Sequence, residues 1–352
     1  MEKSRLDNQL AFVKKHGWEQ ADLFPLPADA SKRSYIRLVK PQASCLLMDA
    51  PPASEKLGEF IEISRHLQML GFRSPQVYAA DVEAGLALIE DFGDDTFSRV
   101  LARGVSEEML YLKAADVLVQ MHKAGAKAVA GNLPEYSMDI LLEEVGRFLL
   151  WFVPAARGVE ASAAETNAFT KAWCAALESV ASDHSSFVFR DFHVDNLMLL
   201  TDESAILSGA EVCDKSASFE CGLLDFQDAL KGPPAYDMAS LLEDARRDIA
   251  PATRASVLEH YFSGCETADR SALLRDMTVL AAQRHTKVVG IFVRLCVSEG
   301  NPAYLHHLPR IIALLKTALA DPCLREVQNS MEAILPGFTE PDFVKSLVKN
   351  LS

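Results

Sequence analysis

The chain has 352 residues, 49% hydrophobic and 24% charged, enough for one large domain or two lobes around a sizeable core. A formal net charge of −14 argues against nucleic acid as the main partner, because phosphate backbones call for clustered Lys and Arg, while nucleotide binding through a metal ion stays open. The seven cysteines form no CxxC pair, the N-terminal MEKSRLDNQLAFVKK has no signal-like apolar core, and no apolar run approaches the ~18 residues of a membrane span. These totals predict a soluble, cytoplasmic protein with reduced thiols and no membrane partner.

In chain order, Leu6, Leu10 and Val13 recur at helical spacing and predict a short amphipathic helix over 4–16, stopped at Gly17. Asp29 to Ser34 is small and basic and runs into an alternating strand (Tyr35, Arg37, Val39). Ser44 to Asp49 is an apolar strand. The polar turn suits either an ordinary hairpin or a lid over phosphates. Lacking glycine, it is neither a Walker loop nor a GxGxxG loop. Pro51 and Pro52 break the strand, and Ser54 is placed to cap a helix reaching about Leu70. Leu57, Phe60, Ile61, Ser64 and Leu67 make its inner face, and Gly71 fits its C′ end. Val77 to Ala80 and Leu86 to Glu90 predict a hairpin.

Asp91-Phe92-Gly93-Asp94 interrupts this pattern, and the expected lobe boundary lies there, with 1–90 a β-rich lobe and 91–352 a mainly helical one. The fold class is therefore α+β. Helices are expected from Ser106 to His122, from Ile140 to Phe152, and over 162–181, 252–263, 268–297, 303–320 and 339–351. The polar segment from Thr201 to Gly222 reads as a surface loop, and Asp237, at the start of a further helix, reads as an N-cap.

The chemistry concentrates between Phe187 and Gln227. A short run (Phe187, Val188, Phe189) delivers Arg190 and Asp191 into a loop, Asn196 follows, and a later apolar run ends in Asp225. Phosphoryl transfer needs an oriented nucleophile and metal ions bridging phosphate oxygens. Mg²⁺ takes oxygen ligands and keeps several waters, so one carboxylate and one amide carbonyl are a reasonable protein share. Asp191 fits the base, and Asn196 and Asp225 fit the metal. Taken singly, each also fits a turn or a cap.

FRDFHVDNLM followed by LLDFQDALKGPPAYDMASL resembles the aminoglycoside phosphotransferase and choline kinase branch of the protein-kinase-like fold. Asp29 to Tyr35, Met48-Asp49-Ala50-Pro51-Pro52, Asp91-Phe92-Gly93 and Leu224 to Asp228 resemble, within that branch, the bacterial kinases of the anomeric hydroxyl of N-acetylmuramate or N-acetylglucosamine. The likeness spans roughly residues 25 to 300. It implies two lobes, ATP and Mg²⁺, and an amino sugar or similar small molecule as acceptor. Ser31, Lys32, Arg33 and Ser34 would cover the phosphates, and backbone groups near Glu90 and Phe92 would meet the adenine. The rival readings are a kinase of choline, homoserine or an aminoglycoside, and a non-catalytic nucleotide-binding regulator.

The sequence departs from that pattern in several places. Phe189 and Arg190 stand where the family has His and Gly, and Phe-Gln follows Asp225. The strand Cys45 to Asp49 lacks the lysine that steadies the α- and β-phosphates. Lys32, Arg33 or Lys40 could supply that charge, and Glu59 or Glu62 would be its usual helical partner. His193, Asp195 and Asp228 are further candidates for the acceptor or a second metal shell. Arg284, in the basic run Arg284-His285-Thr286-Lys287, suits the lactyl carboxylate of a muramate, although a solvated helix edge explains the run as well.

Overall fold

The computed structural model describes residues 2–27, 32–129, 131–201, 219–265 and 269–351. In chain order the elements are α1 (Glu2–Lys15), β1 (Asp22–Pro25), β2 (Ser34–Lys40), β3 (Ala43–Asp49), α2 (Leu57–Met69), β4 (Val77–Asp81), β5 (Leu86–Ile89), α3 (Phe97–Ala102) and α4 (Glu107–Ala124). There follow α5 (Met138–Arg147), a π-helical turn (Phe148–Phe152), α6 (Val153–Arg157), α7 (Ala163–Ala181), β6 (Ser186–Val188), β7 (Leu197–Thr201), β8 (Phe219–Leu223) and β9 (Leu230–Gly232). The remaining helices are α8 (Ala235–Leu242), α9 (Pro251–Gly264), α10 (Arg270–Glu299), α11 (Leu308–Leu319), α12 (Arg325–Ile334) and α13 (Pro341–Leu351). The class is α+β, with the sheet first and the helices after. No helix among the described residues is long and apolar enough to cross a membrane.

By packing, the chain forms two compact units, Met1–Ala114 with Val194–Ala229, and Ala115–His193 with Leu230–Ser352. Composition marks a change near residue 90, whereas packing groups 91–114 and 194–229 with the N-terminal sheet.

The first unit is built on an antiparallel sheet in the order β1-β2-β3-β5-β4. Alternation along the strands sends Leu38, Cys45, Leu47, Leu86 and Leu88 to one side, where Phe12 and Val13 of α1 cover them. Arg5 clamps α1 to the end of β3 by pairing with Asp49. The predicted face of α2 is the buried one, and its Phe60 stacks on Phe226 at 5.1 Å between ring centroids. The helix begins at Leu57, later than the expected Ser54, which instead hydrogen-bonds Pro51 O within a turn.

Helix α10 forms the axis of the second unit, with α5, α8, α11 and the π turn packed on it. Gly290 makes the α5 contact possible, since a Cβ there would lie 2.5 Å from the carbonyl of Arg147. The expected helix from Ile140 to Phe152 starts earlier, with Ser137 as N-cap, and loosens into the π turn at Phe148. The expected helix from residue 268 has Asp269 as its cap, accepting from Ser271 N and Ala272 N.

Several elements have no counterpart in the sequence reading: α3, α6 and β9, together with β1, α12 and the segment that forms β8. β1 is four residues with every position exposed, so it lacks a pattern. α12 was not expected at all. Within the expected loop over 201–222, residues 202–218 lie outside the described chain, but Phe219 to Gly222 belong to β8, with Phe219 and Cys221 buried.

Gly290→Ala is expected to destabilise the protein by about 1–3 kcal/mol through overpacking, although alanine is the better helix former. Urea denaturation would read this, and an unchanged or raised midpoint would contradict the close approach.

Candidate active site

The first unit carries a cavity of about 810 Å³, a size suited to a small ligand. One part of its wall comes from β7 and β8. Leu197 pairs with Leu223, and Leu224 N donates to Asn196 O at 2.9 Å. That register brings Asn196, just before β7, and Asp225, just after β8, to the same end of one hairpin. Both line the cavity, with Asp195, Gln227 and Asp228 beside them. Asp225 sits at φ 55°, a left-handed conformation that a non-glycine residue adopts only where surrounding structure holds it. The stacked pair Phe60–Phe226 supplies that hold from the next residue.

Arg33 reaches the same place. Its Nη2 lies 2.5 Å from Asp225 Oδ1, its Nη1 donates to Gln227 Oε1 at 2.5 Å, and its Nε is 3.4 Å from Glu55 Oε2. Gln227 Nε2 in turn donates to Asp225 at 3.0 Å and to Asp228 at 3.1 Å. Lys32 is exposed, and its backbone N donates to Glu55 Oε1 at 3.0 Å. Ser34 is exposed at the start of β2, and Ser31 lies outside the described residues. Lys40 is committed elsewhere, to Gly17 O and the Trp18 ring. Glu59 pairs with Lys56 and is exposed, as is Glu62, so neither partners a buried cation. Glu55, which the sequence reading passed over, is the acid that meets Arg33.

The segment of Glu90 and Asp91 is pinned from both sides. Asp91 pairs with Arg37 at 2.7 Å, and the Glu90 carboxylate accepts from Arg73 at 2.9 Å and from Gln76 N at 3.1 Å. Glu90 N is spent on Gln76 O at 2.8 Å. Glu90 and Phe92 both line the cavity. Phe92 packs where Gly222 leaves room, a Cβ at Gly222 coming 3.0 Å from its ring.

The two oxygen donors at the hairpin end fit a hard divalent cation. Among the described residues no group of three or more His, Cys, Asp or Glu is arranged to hold a metal alone. Asn196 and Asp225 supply the share expected when phosphates and waters complete the shell.

Asp191, His193 and Arg284 belong to the second unit. The loop holding Asp191 is anchored by Asp237, whose carboxylate accepts from Phe189 N at 2.7 Å and Arg190 N at 3.1 Å. The N-cap of α8 is Pro234, so the expected capping role of Asp237 gives way to this anchoring. Burial pushes the Asp237 carboxyl up to about 7, against the two N–H donors and with help from Asp191. Arg190 takes φ 71° and pairs with Glu144.

Glu144 is 1% exposed and also meets Lys287 Nζ at 2.8 Å, Gln283 Nε2 at 2.9 Å and the Tyr136 hydroxyl. Burial pushes its carboxyl up, but Lys287 and Arg190 outweigh this and hold it well below the usual carboxylate range. Burial also acts to raise Asp191, and Lys287 and then Arg284 more than offset it, keeping Asp191 below its ordinary value. The Asp191 side chain is 49% exposed, so solvent screens part of both effects.

Arg284 is 3% exposed, with Nη2 3.9 Å from Asp191 Oδ1, and its Nε and Nη1 find no hydrogen-bond partner among the described residues. The basic run of α10 is thus buried, correcting the solvated-edge alternative. Its basic side chains face separate carboxylates, with Arg284 toward Asp191, His285 bonded to Glu243 and Lys287 paired with Glu144, and burial holds the His285 imidazole below its ordinary value. His193 is buried, and burial, then Arg246, hold its imidazole below the ordinary value. Asp237, Glu144 and Lys287 carry no local sequence signal for these roles. Gln227 had one, the glutamine standing after Asp225-Phe226.

A model of the phosphotransferase enzyme family matches residues 22–274. The chain is 30% identical to an N-acetylmuramate/N-acetylglucosamine kinase of Caulobacter vibrioides, over 93% of this chain and 95% of that one. It is 34% identical to a Pseudomonas aeruginosa protein of the same description, over 86% of each. In fold it is similar to a choline kinase from Streptococcus pneumoniae, with a TM-score of 0.53 and 12% identity over 93% of this chain and 99% of that one.

Replacing Asp237 with Asn leaves one N–H donor without an acceptor and is expected to cost about 1–3 kcal/mol. The cost should depend on pH. With a folded value of about 7 against an ordinary 3.8, Asp237 contributes most below pH 4, and its contribution falls as pH rises toward 7. The stability difference between wild type and Asp237→Asn should therefore shrink by roughly 1.4 kcal/mol per pH unit across that window. Equal differences at pH 5 and pH 8 would refute the assignment.

Proposed function

The chain belongs to the phosphotransferase enzyme family, and from that premise we propose that it uses ATP and Mg²⁺ to phosphorylate the anomeric hydroxyl of N-acetylmuramate and N-acetylglucosamine in peptidoglycan recycling. It is an enzyme that transfers phosphate to a hydroxyl of a small molecule, a sugar kinase. The names of its relatives support the amino-sugar acceptor and the anomeric position follows from the motif resemblance.

The observation that carries the acceptor class is the charge around Asp191. Arg284 lies 3.9 Å away with its Nε and Nη1 lacking a hydrogen-bond partner among the described residues, while Lys287, paired with Glu144, adds its field from α10. Choline or an aminoglycoside would bring a further cation into that field, whereas a neutral or acidic sugar would not. The lactyl carboxylate of a muramate would find the planar guanidinium of Arg284 complementary to its two oxygens. A non-catalytic regulator has less to support it, because Arg33 lines the cavity beside Asp225 and could supply the charge of the absent strand lysine.

In this reading Asp191 orients the anomeric hydroxyl and takes its proton as the oxygen attacks the γ-phosphorus. Its depressed proton affinity keeps it an acceptor at neutral pH. Asn196 and Asp225 would hold Mg²⁺, which would offset the negative charge of the phosphates. Arg33 supplies the positive charge of the phosphate turn, with Lys32 and Ser34 beside it. Backbone groups of Glu90 and Phe92 meet the adenine. Asp195 and Asp228, which line the same cavity, would hydrogen-bond waters of that metal or a hydroxyl of the acceptor.

ATP consumption should rise with N-acetylmuramate and N-acetylglucosamine and stay at background with choline, homoserine and an aminoglycoside; the reverse pattern would sink the proposal. Asp191→Ala should lower kcat by roughly 10² to 10⁴. Arg284→Leu should cost more on the muramate than on the glucosamine, by about tenfold or more if a charge-assisted hydrogen bond is lost. Equal losses on both sugars would remove Arg284 from carboxylate recognition.

A further inference from the structure

Glu55 and Arg33 form a pair that nothing in the motif pattern assigns. Arg33 presents two edges. Its Nε edge faces Glu55 at 3.4 Å, and its Nη edge faces Gln227 and Asp225, each at 2.5 Å. Glu55 also takes the Lys32 backbone N–H at 3.0 Å, so a single carboxylate holds both the turn and its guanidinium. The side chains of Arg33 and Glu55 are 9% and 15% exposed, and that of Asp225 is 38% exposed. The Arg33–Glu55 contact is therefore the more sheltered of the two ion pairs.

A carboxylate oxygen cannot serve a guanidinium and a dication together without bringing like charges into close contact. Arg33 on Oδ1 therefore opposes a metal at Asp225, and a bound metal favours release of the Nη edge of Arg33. Glu55 is turned to Lys32 N and the Nε edge of Arg33 and is not among the residues that line the cavity with Asn196 and Asp225. The Nη edge released from Asp225 is a planar pair of donors of the kind that matches phosphate oxygens.

We propose that Glu55 is the positioning residue for Arg33, and that Arg33 exchanges Asp225 for the phosphates of the nucleotide, so that the metal and the nucleotide assist each other's binding. The proposal rests on the reading of Asp225 as a metal ligand. Before nucleotide arrives, Arg33 neutralises Asp225 and competes with the metal. With nucleotide present, the same side chain neutralises phosphate and leaves Asp225 open. By linkage, removing Arg33 must act on the two ligands with opposite sign.

The test uses the full chain, Mn²⁺ without nucleotide, followed by electron paramagnetic resonance of free Mn²⁺, and ADP without metal, followed by calorimetry. Arg33→Met should bind Mn²⁺ about fivefold or more tighter and ADP about fivefold or more weaker, the scale of one partly sheltered ion pair. Glu55→Gln should weaken ADP without tightening Mn²⁺, and Glu55→Asp should restore part of the ADP affinity. A purely structural role would weaken both ligands and lower the melting temperature. Arg33→Met leaving Mn²⁺ affinity unchanged or reduced overturns the exchange. Asp225→Asn separates the two levels. If it retains Mn²⁺ binding, the metal-ligand reading falls and takes the exchange with it. If it loses Mn²⁺ while Arg33→Met fails to tighten it, only the exchange falls.

Discussion

Glu144 neutralises two buried cations, and the arrangement around Asp191 depends on that balance. Arg190 points inward to this acid, and Lys287 reaches it from α10. Burying three charges is costly, and removing one partner leaves the others uncompensated at about 3–5 kcal/mol. The acid therefore fixes where Arg190 goes, and Arg190 immediately precedes Asp191. Asp237 fixes the same loop from the other side by its backbone N–H groups. Two carboxylates that never touch an acceptor thus hold the one proposed to do so, each in its own protonation regime. Glu144 is kept ionised by cations, while Asp237 is pushed toward neutrality by burial.

The first unit solves a different problem, how to point two oxygen donors at one place. A two-stranded hairpin does it by register alone, since residues flanking paired strand ends must lie together. Both site loops use a left-handed non-glycine residue, Arg190 and Asp225, at an expected cost of about 1–3 kcal/mol each. In both cases neighbouring contacts hold the conformation, the Glu144 pair in one and the Phe60–Phe226 stack in the other. Stability is spent where side chains must be aimed.

The sequence showed the parts whose chemistry is local. Asp191, Asn196 and Asp225 announce themselves by spacing between apolar runs, and the buried face of α2 by its period. The partners of those residues were hidden, because they come from distant segments. The Arg33 that meets Asp225 comes from 192 positions away, and no pattern around Glu55, which also meets Arg33, distinguishes it from Glu59 or Glu62. The basic run on α10 reads as a wet edge because Arg284, His285 and Lys287 fall within four residues, and only the fold supplies a separate carboxylate for each. Asp237 sits in a first helical turn, where an N-cap is the ordinary expectation, and its real partners lie 47 and 48 positions away. Strand β1 and helix α12 were missed for want of pattern and punctuation.

We propose that Asp191, beside Arg284, directs phosphate to the anomeric oxygen of an amino sugar. The most direct measurement is ³¹P nuclear magnetic resonance of the product formed from ATP and N-acetylmuramate, with the phosphorus correlated to the sugar protons. The account predicts coupling of the new phosphorus to H1 and no product from the methyl glycoside, whose anomeric oxygen is blocked. Coupling to the H6 protons, or turnover of the methyl glycoside, would contradict it.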